Sequence, residues 1–231
     1  MRGLEIEAVV FDLDATLVNL GGYVNWREGH SRVVEAYLEC GCREDLVTRY
    51  GEAGLFDMLN LMWDMLCETR PMEEAARIQG RAFDALSACE ALGAPRCHLV
   101  PGSAEALEWL KERGVKMGIA TSNSQEVAEQ ILEAKGLGRF FSAVVGRTPG
   151  LRMKPHPDQI LTCFQMLAVD PRRGVVVGDS VRDVMAARAA GAYSIAVPAY
   201  FTGRRALEEA GADRIIGSLW ELKGVLSSLR L

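Results

Sequence analysis

The chain has 231 residues, 49% of them hydrophobic and 25% charged, which suffices for one large domain or for a domain carrying a smaller one. Its net charge of −5 argues against nucleic acid as the main partner, so we expect none. No apolar run approaches the ~20 residues of a membrane span, and the first run, Ala8–Phe11, is too short for a signal peptide, so we expect a cytoplasmic protein without a membrane partner.

The first predicted strand, Ile6–Phe11, is followed directly by Asp12 and Asp14. In an open parallel sheet the ligand crevice lies at the carboxyl ends of the strands. Two carboxylates two residues apart repel each other there, and a divalent cation that prefers oxygen ligands, such as Mg²⁺, relieves the repulsion. A simple turn is the alternative for this segment, because aspartate commonly follows strands.

Residues 19–98 carry helical patterns and no convincing strand pattern. The apolar residues of the third predicted helix recur at helical spacing, which indicates packing between helices. Five of the six cysteines fall between residues 40 and 97, where they permit a disulfide, although free buried thiols are favoured in a reducing compartment. The predicted helices are Asn25–Glu39, Glu44–Tyr50, Gly54–Glu68 and Met72–Leu92. We therefore predict an all-α insertion at 19–98 in a core formed by residues 1–18 and 99–231.

From residue 100 onward, apolar strands alternate with helical segments. The predicted strands are Val115–Ala120, Ala143–Gly146, Gly174–Gly178 and Tyr193–Val197. The predicted helices are Ser103–Arg113, Ser124–Lys135, Pro157–Leu167, Val181–Ala190 and Gly203–Ala210. This alternation predicts the α/β class, with a Rossmann-like, doubly wound parallel sheet that has helices on both faces.

A second acidic pair, Asp179 and Asp183, follows the strand Gly174–Gly178. Asp179 or Ser180 could instead cap the next helix, and capping does not exclude metal binding. Because two apolar strands of one parallel sheet each end in acids, both pairs should open into one crevice. The repetition favours a metal site over two unrelated turns.

Donors for an anion are expected at the same edge of the sheet. Thr121 and Ser122 follow the strand Val115–Ala120 and precede a helix, whose N-terminus favours anions, although residues there could also merely cap the helix. Lys154 lies beside two prolines just before another helix. A lysine fixed at this edge is a candidate to neutralise the charge of a bound phosphate.

Taken in order, the segments FDLDATLV, TSN, KPHPD and GDSVRDVMAARAAG resemble the four motifs of the haloacid dehalogenase superfamily. The resemblance covers essentially the whole chain, and it is to the phosphatases with an inserted helical cap, of the phosphoglycolate phosphatase type. It implies a magnesium-dependent phosphohydrolase that cleaves a small-molecule phosphate ester through an aspartyl-phosphate intermediate. A sugar-phosphate mutase of the same superfamily stays open as the alternative, because mutases share all four motifs.

The resemblance also implies roles for single residues. Asp12 would be the nucleophile and Asp14 the general acid and base, with Lys154 neutralising charge. The implied phosphate-binding residues are Thr16, which would also hold the turn, Thr121, Ser122 and Lys154. The implied Mg²⁺ ligands are Asp12, Asp14 through its backbone carbonyl, Asp179 and Asp183.

Several points limit or refine the resemblance. Most relatives have glycine where Ala15 stands, which matters only if this position requires a positive φ. Dehalogenase activity is disfavoured because that branch lacks the second aspartate, and phosphonate cleavage because the predicted cap contains no lysine.

Specificity is expected to come from the cap, and the chain is expected to be a monomer or homodimer. The candidate specificity residues are Arg27, His30 and Arg49, with Trp26 and Arg70 as further possibilities.

Overall fold

The computed structural model describes residues 6–199 and 202–229, which form a parallel six-stranded sheet and surrounding helices. The strands are β1 Ala8–Phe11, β2 Lys116–Ser124, β3 Ala143–Arg147, β4 Gly174–Gly178, β5 Tyr193–Ala196 and β6 Arg214–Ile215. Their order in the sheet is β3-β2-β1-β4-β5-β6, and every pairing is parallel. The predicted α/β class is therefore confirmed, and β1 lies at the centre of the sheet.

The core helices cover both faces of the sheet. They are α5 Ser103–Glu112, α6 Gln125–Ala134, α7 Asp158–Leu167, α8 Val181–Ala190, α9 Arg204–Glu209 and α10 Leu222–Ser228. In β1, Val9 and Phe11 belong to one apolar cluster with α5, α6 and α10, whereas Ala8 and Val10 belong to another with α7 and α8. Both faces of the central strand are therefore buried, which explains its uninterrupted apolar sequence.

Four helices, α1 Trp26–Glu39, α2 Glu44–Gly51, α3 Leu55–Thr69 and α4 Met72–Gly93, form a helical unit with an apolar cluster of its own. The chain enters and leaves this unit side by side, because Val18 pairs with Leu99 and the N–H of Val100 donates to the carbonyl of Leu17 at 2.9 Å. The division at residues 18/19 and 98/99 nevertheless stays a prediction.

The structure differs from the predicted elements in three places. Strand β2 continues to Ser124 through the polar residues Thr121–Asn123, with an irregular register between Ala120 and Ser124, so these residues end a strand instead of forming a loop. The edge strand β6 and the helix α10 were not predicted. β6 has only two residues, which is too short for a recognisable apolar pattern.

Two further expectations concerned disulfides and membrane-spanning segments. All six cysteines are free; Cys89, Cys97 and Cys163 are buried, and Cys40, Cys42 and Cys67 are half-buried. Within residues 6–199 and 202–229, none of the helices has the length and apolar character needed to cross a bilayer.

Candidate active site

The two acidic pairs lie next to each other because β1 and β4 are neighbours in the sheet. The N–H of Asp12 donates to the carbonyl of Val177 at 2.8 Å, so the chain leaves both strands at the same level. Gly178 ends β4, and a Cβ atom there would lie only 2.3 Å from Cγ of Asp183. Only glycine at this position lets the Asp183 carboxylate approach the strand end.

Lys154 joins the two pairs. Its Nζ donates to Oδ1 of Asp12 at 2.6 Å and to Oδ1 of Asp183 at 2.5 Å, and all three side chains are buried. The second oxygen of Asp183 accepts from the hydroxyl of Ser180, which caps α8 by accepting from the N–H of Asp183 in turn. Asp183 therefore serves both the helix cap and the charged cluster.

The donor set fits a magnesium ion. Asp12, Asp179 and Asp183 each offer a carboxylate oxygen, and these oxygens lie within 4.8 Å of one another. Burial has the largest effect on Asp12 and raises its pKa. The charge of Lys154 opposes this effect, the charge of Asp183 adds to it, and the resulting pKa is about 7. Burial and then the charges of Asp183 and Asp12 raise the pKa of Asp179 to about 8. A hard divalent cation among these oxygens would remove the repulsion and desolvation that raise both values.

Asp14 lies beside this cluster but is held by different contacts. Its Oδ1 accepts from the N–H of Gly21 at 2.7 Å, and burial raises its pKa to about 6 despite that hydrogen bond. The next residue, Ala15, has φ of 62°, in the left-handed region. Position 15 therefore favours glycine, as in most relatives, and alanine is strained there.

The end of β2 brings hydroxyl and amide groups to the same edge. The Thr121 hydroxyl donates to Oδ1 of Asn123 at 3.0 Å and accepts from the N–H of Asn123 at 3.2 Å. The Thr121 carbonyl accepts from the side chain of Gln159 at 2.7 Å. Ser124 caps α6 by accepting from the N–H of Val127. Capping of the next helix, the alternative role for residues of this segment, is thus observed at Ser124.

Sequence reasoning missed a buried ion pair that connects the helical unit to this segment. Glu90 of α4 accepts from Arg147, at the end of β3, at 3.0 and 2.8 Å, and both side chains are fully buried. Glu90 also accepts from the Asn123 side chain and from the N–H of Ser124, both at 3.1 Å. Arg147 donates further to the Ser122 carbonyl at 2.7 Å. The one indication in the sequence was that Glu90 lies among the apolar positions of α4.

A second buried contact connects the helical unit to the lysine loop. The side chain of Asn60 in α3 donates to the carbonyl of Met153 at 3.1 Å and accepts from its N–H at 2.9 Å. Met153 is the residue before Lys154, and its side chain packs into the apolar cluster of the helical unit. Asn60 therefore fixes the backbone that carries Lys154.

A cavity of about 260 Å³ opens between the sheet edge and the helical unit. The predicted site residues that line it are Asp12, Asp14, Thr121, Ser122, Lys154, Asp179 and Asp183. The cavity is also lined by Trp26, which was a candidate, and by Phe56 and Arg182, which were not. The cavity thus combines a cluster of charged groups with a wall of aromatic residues.

Four of the candidate specificity residues and Thr16 do not line this cavity. The Thr16 hydroxyl and the Nε2 of His30 are buried without a hydrogen-bond partner among the residues that the structure describes. Arg70, between α3 and α4, forms an ion pair with Glu74 at 3.0 Å. The predicted roles of Thr16, Arg27, His30, Arg49 and Arg70 stay predictions.

A family model for haloacid dehalogenase-like hydrolases matches residues 63–197. The chain belongs to this family. It is 31% identical over 132 residues to the phosphoglycolate phosphatase of Nitrosococcus oceani, a match that covers 57% of this chain and 59% of that protein. It is 30% identical over 152 residues to the phosphoglycolate phosphatase of Escherichia coli strain K12, covering 66% of this chain and 60% of that one. The chain thus spans about 60% of the length of these two relatives.

Among solved structures, the haloacid dehalogenase-like chain is similar to a "putative beta-phosphoglucomutase" from Thermotoga maritima. The two are 28% identical with a TM-score of 0.63, and the match covers 96% of this chain and 99% of that one. The similarity includes the helical unit as well as the sheet, since nearly the whole chain is aligned.

Proposed function

We propose that this chain is a magnesium-dependent phosphohydrolase that cleaves a small-molecule phosphate monoester through an aspartyl-phosphate on Asp12. The contact that carries the proposal is Lys154 Nζ at 2.6 Å from Oδ1 of Asp12, next to the carboxylates of Asp179 and Asp183. The charge of Lys154 opposes the effect of burial on the pKa of Asp12 and so favours the anion, and the hydrogen bond fixes its orientation for attack. The similarity to two phosphoglycolate phosphatases supports a small ester as substrate.

In the first half of the proposed reaction, an oxygen of Asp12 attacks phosphorus and the bond to the leaving alcohol oxygen breaks. Asp14 gives its proton to that oxygen, and its pKa of about 6 leaves part of it protonated near neutral pH. The dianionic phosphate raises that fraction when it binds. Lys154 and Thr121 both line the cavity, which supports their proposed roles as donors to phosphoryl oxygens.

In the second half, Asp14, now a carboxylate, takes a proton from water, whose oxygen attacks phosphorus and breaks the bond to Asp12. Inorganic phosphate leaves and both aspartates return to their starting states. Asp12, Asp179 and Asp183, with the Asp14 carbonyl as a further ligand, would hold Mg²⁺, which would supply charge neutralisation and orientation of the phosphate. The cytoplasmic location and the monomeric or homodimeric state stay predictions.

The test is release of inorganic phosphate from a panel of small phosphate esters with Mg²⁺. Asp12→Asn should lower kcat by at least about a thousandfold, because the amide cannot form the covalent intermediate. Asp84→Asn, on the exposed side of α4, is the matched control and should keep full activity. Turnover retained in Asp12→Asn, with the circular dichroism spectrum unchanged, would remove Asp12 as the nucleophile.

A second candidate function is a sugar-phosphate mutase, which the similarity to the Thermotoga maritima protein supports. A mutase would return the phosphoryl group from Asp12 to a second hydroxyl of the sugar instead of to water. With a hexose phosphate as substrate, ³¹P NMR separates the two functions. Inorganic phosphate as the product supports the phosphohydrolase, whereas a sugar bisphosphate and an isomeric monophosphate support the mutase.

A further inference from the structure

Two aromatic rings and one arginine line the same cavity as the aspartates. The rings of Trp26 and Phe56 meet edge to face with centroids 5.7 Å apart, and the Trp26 indole N–H donates to the carbonyl of Gly21 at 3.0 Å. The guanidinium carbon of Arg182 lies 5.1 Å from the Phe56 ring centroid. Arg182 thus makes a cation–π contact with Phe56, which leaves its N–H groups for other partners.

Those N–H groups are not used within the part of the chain that the structure describes. The nearest acid, Asp57, lies 3.6 Å from Nη1 of Arg182, which is beyond hydrogen-bond distance, and Arg182 donates no hydrogen bond to any residue in 6–199 or 202–229. Arg147, by contrast, donates four. Arg182 therefore keeps its planar fork of donors for a group that enters the cavity.

Helix stability does not explain an arginine at this position. Arg182 is the second residue of α8, in the first turn, where the partial positive charge of the helix terminus disfavours a cation. It is also only about one-third exposed, with 36% of its side-chain surface accessible. A lysine or arginine whose purpose is solubility is normally further out in solvent.

The charges around the cavity indicate which group Arg182 is free to bind. Among the described lining residues the cations are Lys154 and Arg182, and the acids are Asp12, Asp14, Asp179 and Asp183. Lys154 is already paired with Asp12 and Asp183. Arg182 is therefore the cation that remains for the part of the substrate that lies away from the reacting phosphate.

We propose that Arg182, seated on Phe56, binds a carboxylate carried by the leaving alcohol of the substrate and exchanges its loose contact with Asp57 for it. Arginine matches a carboxylate through two parallel hydrogen bonds, whereas Asp57 offers only one distant oxygen. A carboxylate is favoured over a second phosphate because it is the smaller group and about 260 Å³ must also hold the first phosphate. This assignment rests on the proposed function, and it makes the substrate a small phosphorylated hydroxy acid.

The test compares 2-phosphoglycolate with ethyl phosphate, which has the same length without the carboxylate. Arg182→Gln should lower kcat/KM for 2-phosphoglycolate by about tenfold or more relative to ethyl phosphate, the loss expected for hydrogen bonds to a charged group. Asp57→Asn should raise the preference for 2-phosphoglycolate about two- to fivefold, because it removes the competing carboxylate. The control is Arg43→Gln, an exposed arginine paired with Asp45 at 2.6 Å, which should leave both esters unchanged.

Equal losses for the two esters in Arg182→Gln would overturn the assignment, as would a larger Arg182 effect on ethylene glycol bisphosphate than on 2-phosphoglycolate. A binding measurement separates this result from a failure of the proposed function. In calorimetry with Mg²⁺, the wild type should prefer 3-phosphonopropionate over propylphosphonate, and Arg182→Gln should lose that preference. If the wild type hydrolyses neither ester, this preference still supports Arg182 as the carboxylate site, and its absence refutes it.

Discussion

At the scale of single residues, the site is a set of groups whose positions are costly for the fold. Asp12, Asp179 and Asp183 are 7%, 8% and 3% exposed, so three carboxylates are buried against one lysine. Burial without full compensation destabilises a folded protein. The same groups are the ones that a phosphate and a divalent cation would need. Ala15 is a second local cost, because its φ of 62° places a methyl group in the left-handed region.

Ala15→Gly should therefore stabilise the protein by about 1 kcal/mol, the strain of one left-handed alanine. Urea unfolding monitored by circular dichroism measures the change. Ala168→Gly, at the end of α7 with φ of 50°, should behave in the same way. Ala76→Gly inside α4 is the opposite control and should lose about 1 kcal/mol, since glycine is the poorer helix former. Equal losses in all three variants would refute the strain.

At the scale of elements, two helices of the helical unit hold loops of the sheet. Asn60 of α3 holds the backbone of Met153, and Glu90 of α4 holds Arg147 and the end of β2. Both contacts are buried, and each ends next to a candidate site residue, Lys154 or Ser122. α3 and α4 therefore do more than cover the cavity, because they also fix the loops that carry its charged and hydroxyl groups.

Glu90→Gln should destabilise the protein by about 3–5 kcal/mol, because it leaves the buried charge of Arg147 without a counter-charge. Adding Arg147→Met to this variant should recover part of the loss, since the uncompensated charge is then gone. Urea unfolding of the single and double variants measures both effects. The exposed pair Arg139–Glu108, at 2.6 Å, is the control, and Glu108→Gln should change stability by less than about 1 kcal/mol. A double variant less stable than Glu90→Gln would contradict the charge argument.

At the scale of the whole molecule, the cavity belongs to neither part alone. The sheet contributes the aspartates and Lys154, and the helical unit contributes Trp26 and Phe56. Each part has an apolar cluster of its own, and Met153 of the sheet segment belongs to the cluster of the helical unit. The buried aspartates lie where the two parts meet, so their ionisation should affect the stability of the whole molecule.

Without Mg²⁺, the unfolding free energy should fall as pH rises from about 4 to about 8. Asp14, Asp12 and Asp179 have folded pKa values of about 6, 7 and 8, above the ~3.9 of an unfolded aspartate. The folded state therefore holds protons that the unfolded state has released, and stability is lost at about 1 kcal/mol or more per pH unit. Urea unfolding with EDTA between pH 5 and 8 measures this slope.

Mg²⁺ should flatten that dependence, because it binds the deprotonated folded state and its own binding strengthens as pH rises. Asp179→Asn should have a smaller slope in EDTA than the wild type, since it removes one raised group. The same slope with and without Mg²⁺ would show that the cation does not bind at these carboxylates. Stability that rises with pH in EDTA would contradict the raised pKa values.

The sequence by itself determined the α/β class, four of the five predicted strands to within one or two residues at each end, and which acids follow strands. These features are local: an apolar run followed directly by Asp12, or by Asp179, needs no knowledge of distant residues. β2 was predicted too short because Thr121, Ser122 and Asn123 are polar, and polar residues end the apolar pattern even where the backbone stays extended. The positions of the predicted aspartates and of Lys154 at one sheet edge followed from parallel topology.

Only the tertiary structure decided which side chains support that edge and which line the rest of the cavity. Glu90 and Arg147 are 57 residues apart, and Asn60 and Met153 are 93 apart, so no local spacing links them. Arg182 looked like part of a motif and became a candidate site only when the packing of α3 set Phe56 beneath it. Sequence patterns report which face of an element is buried, whereas the partner across that face is chosen by the fold. Asp12, Asp14 and Trp26 were therefore visible in the sequence, and the contact between Arg182 and Phe56 was not.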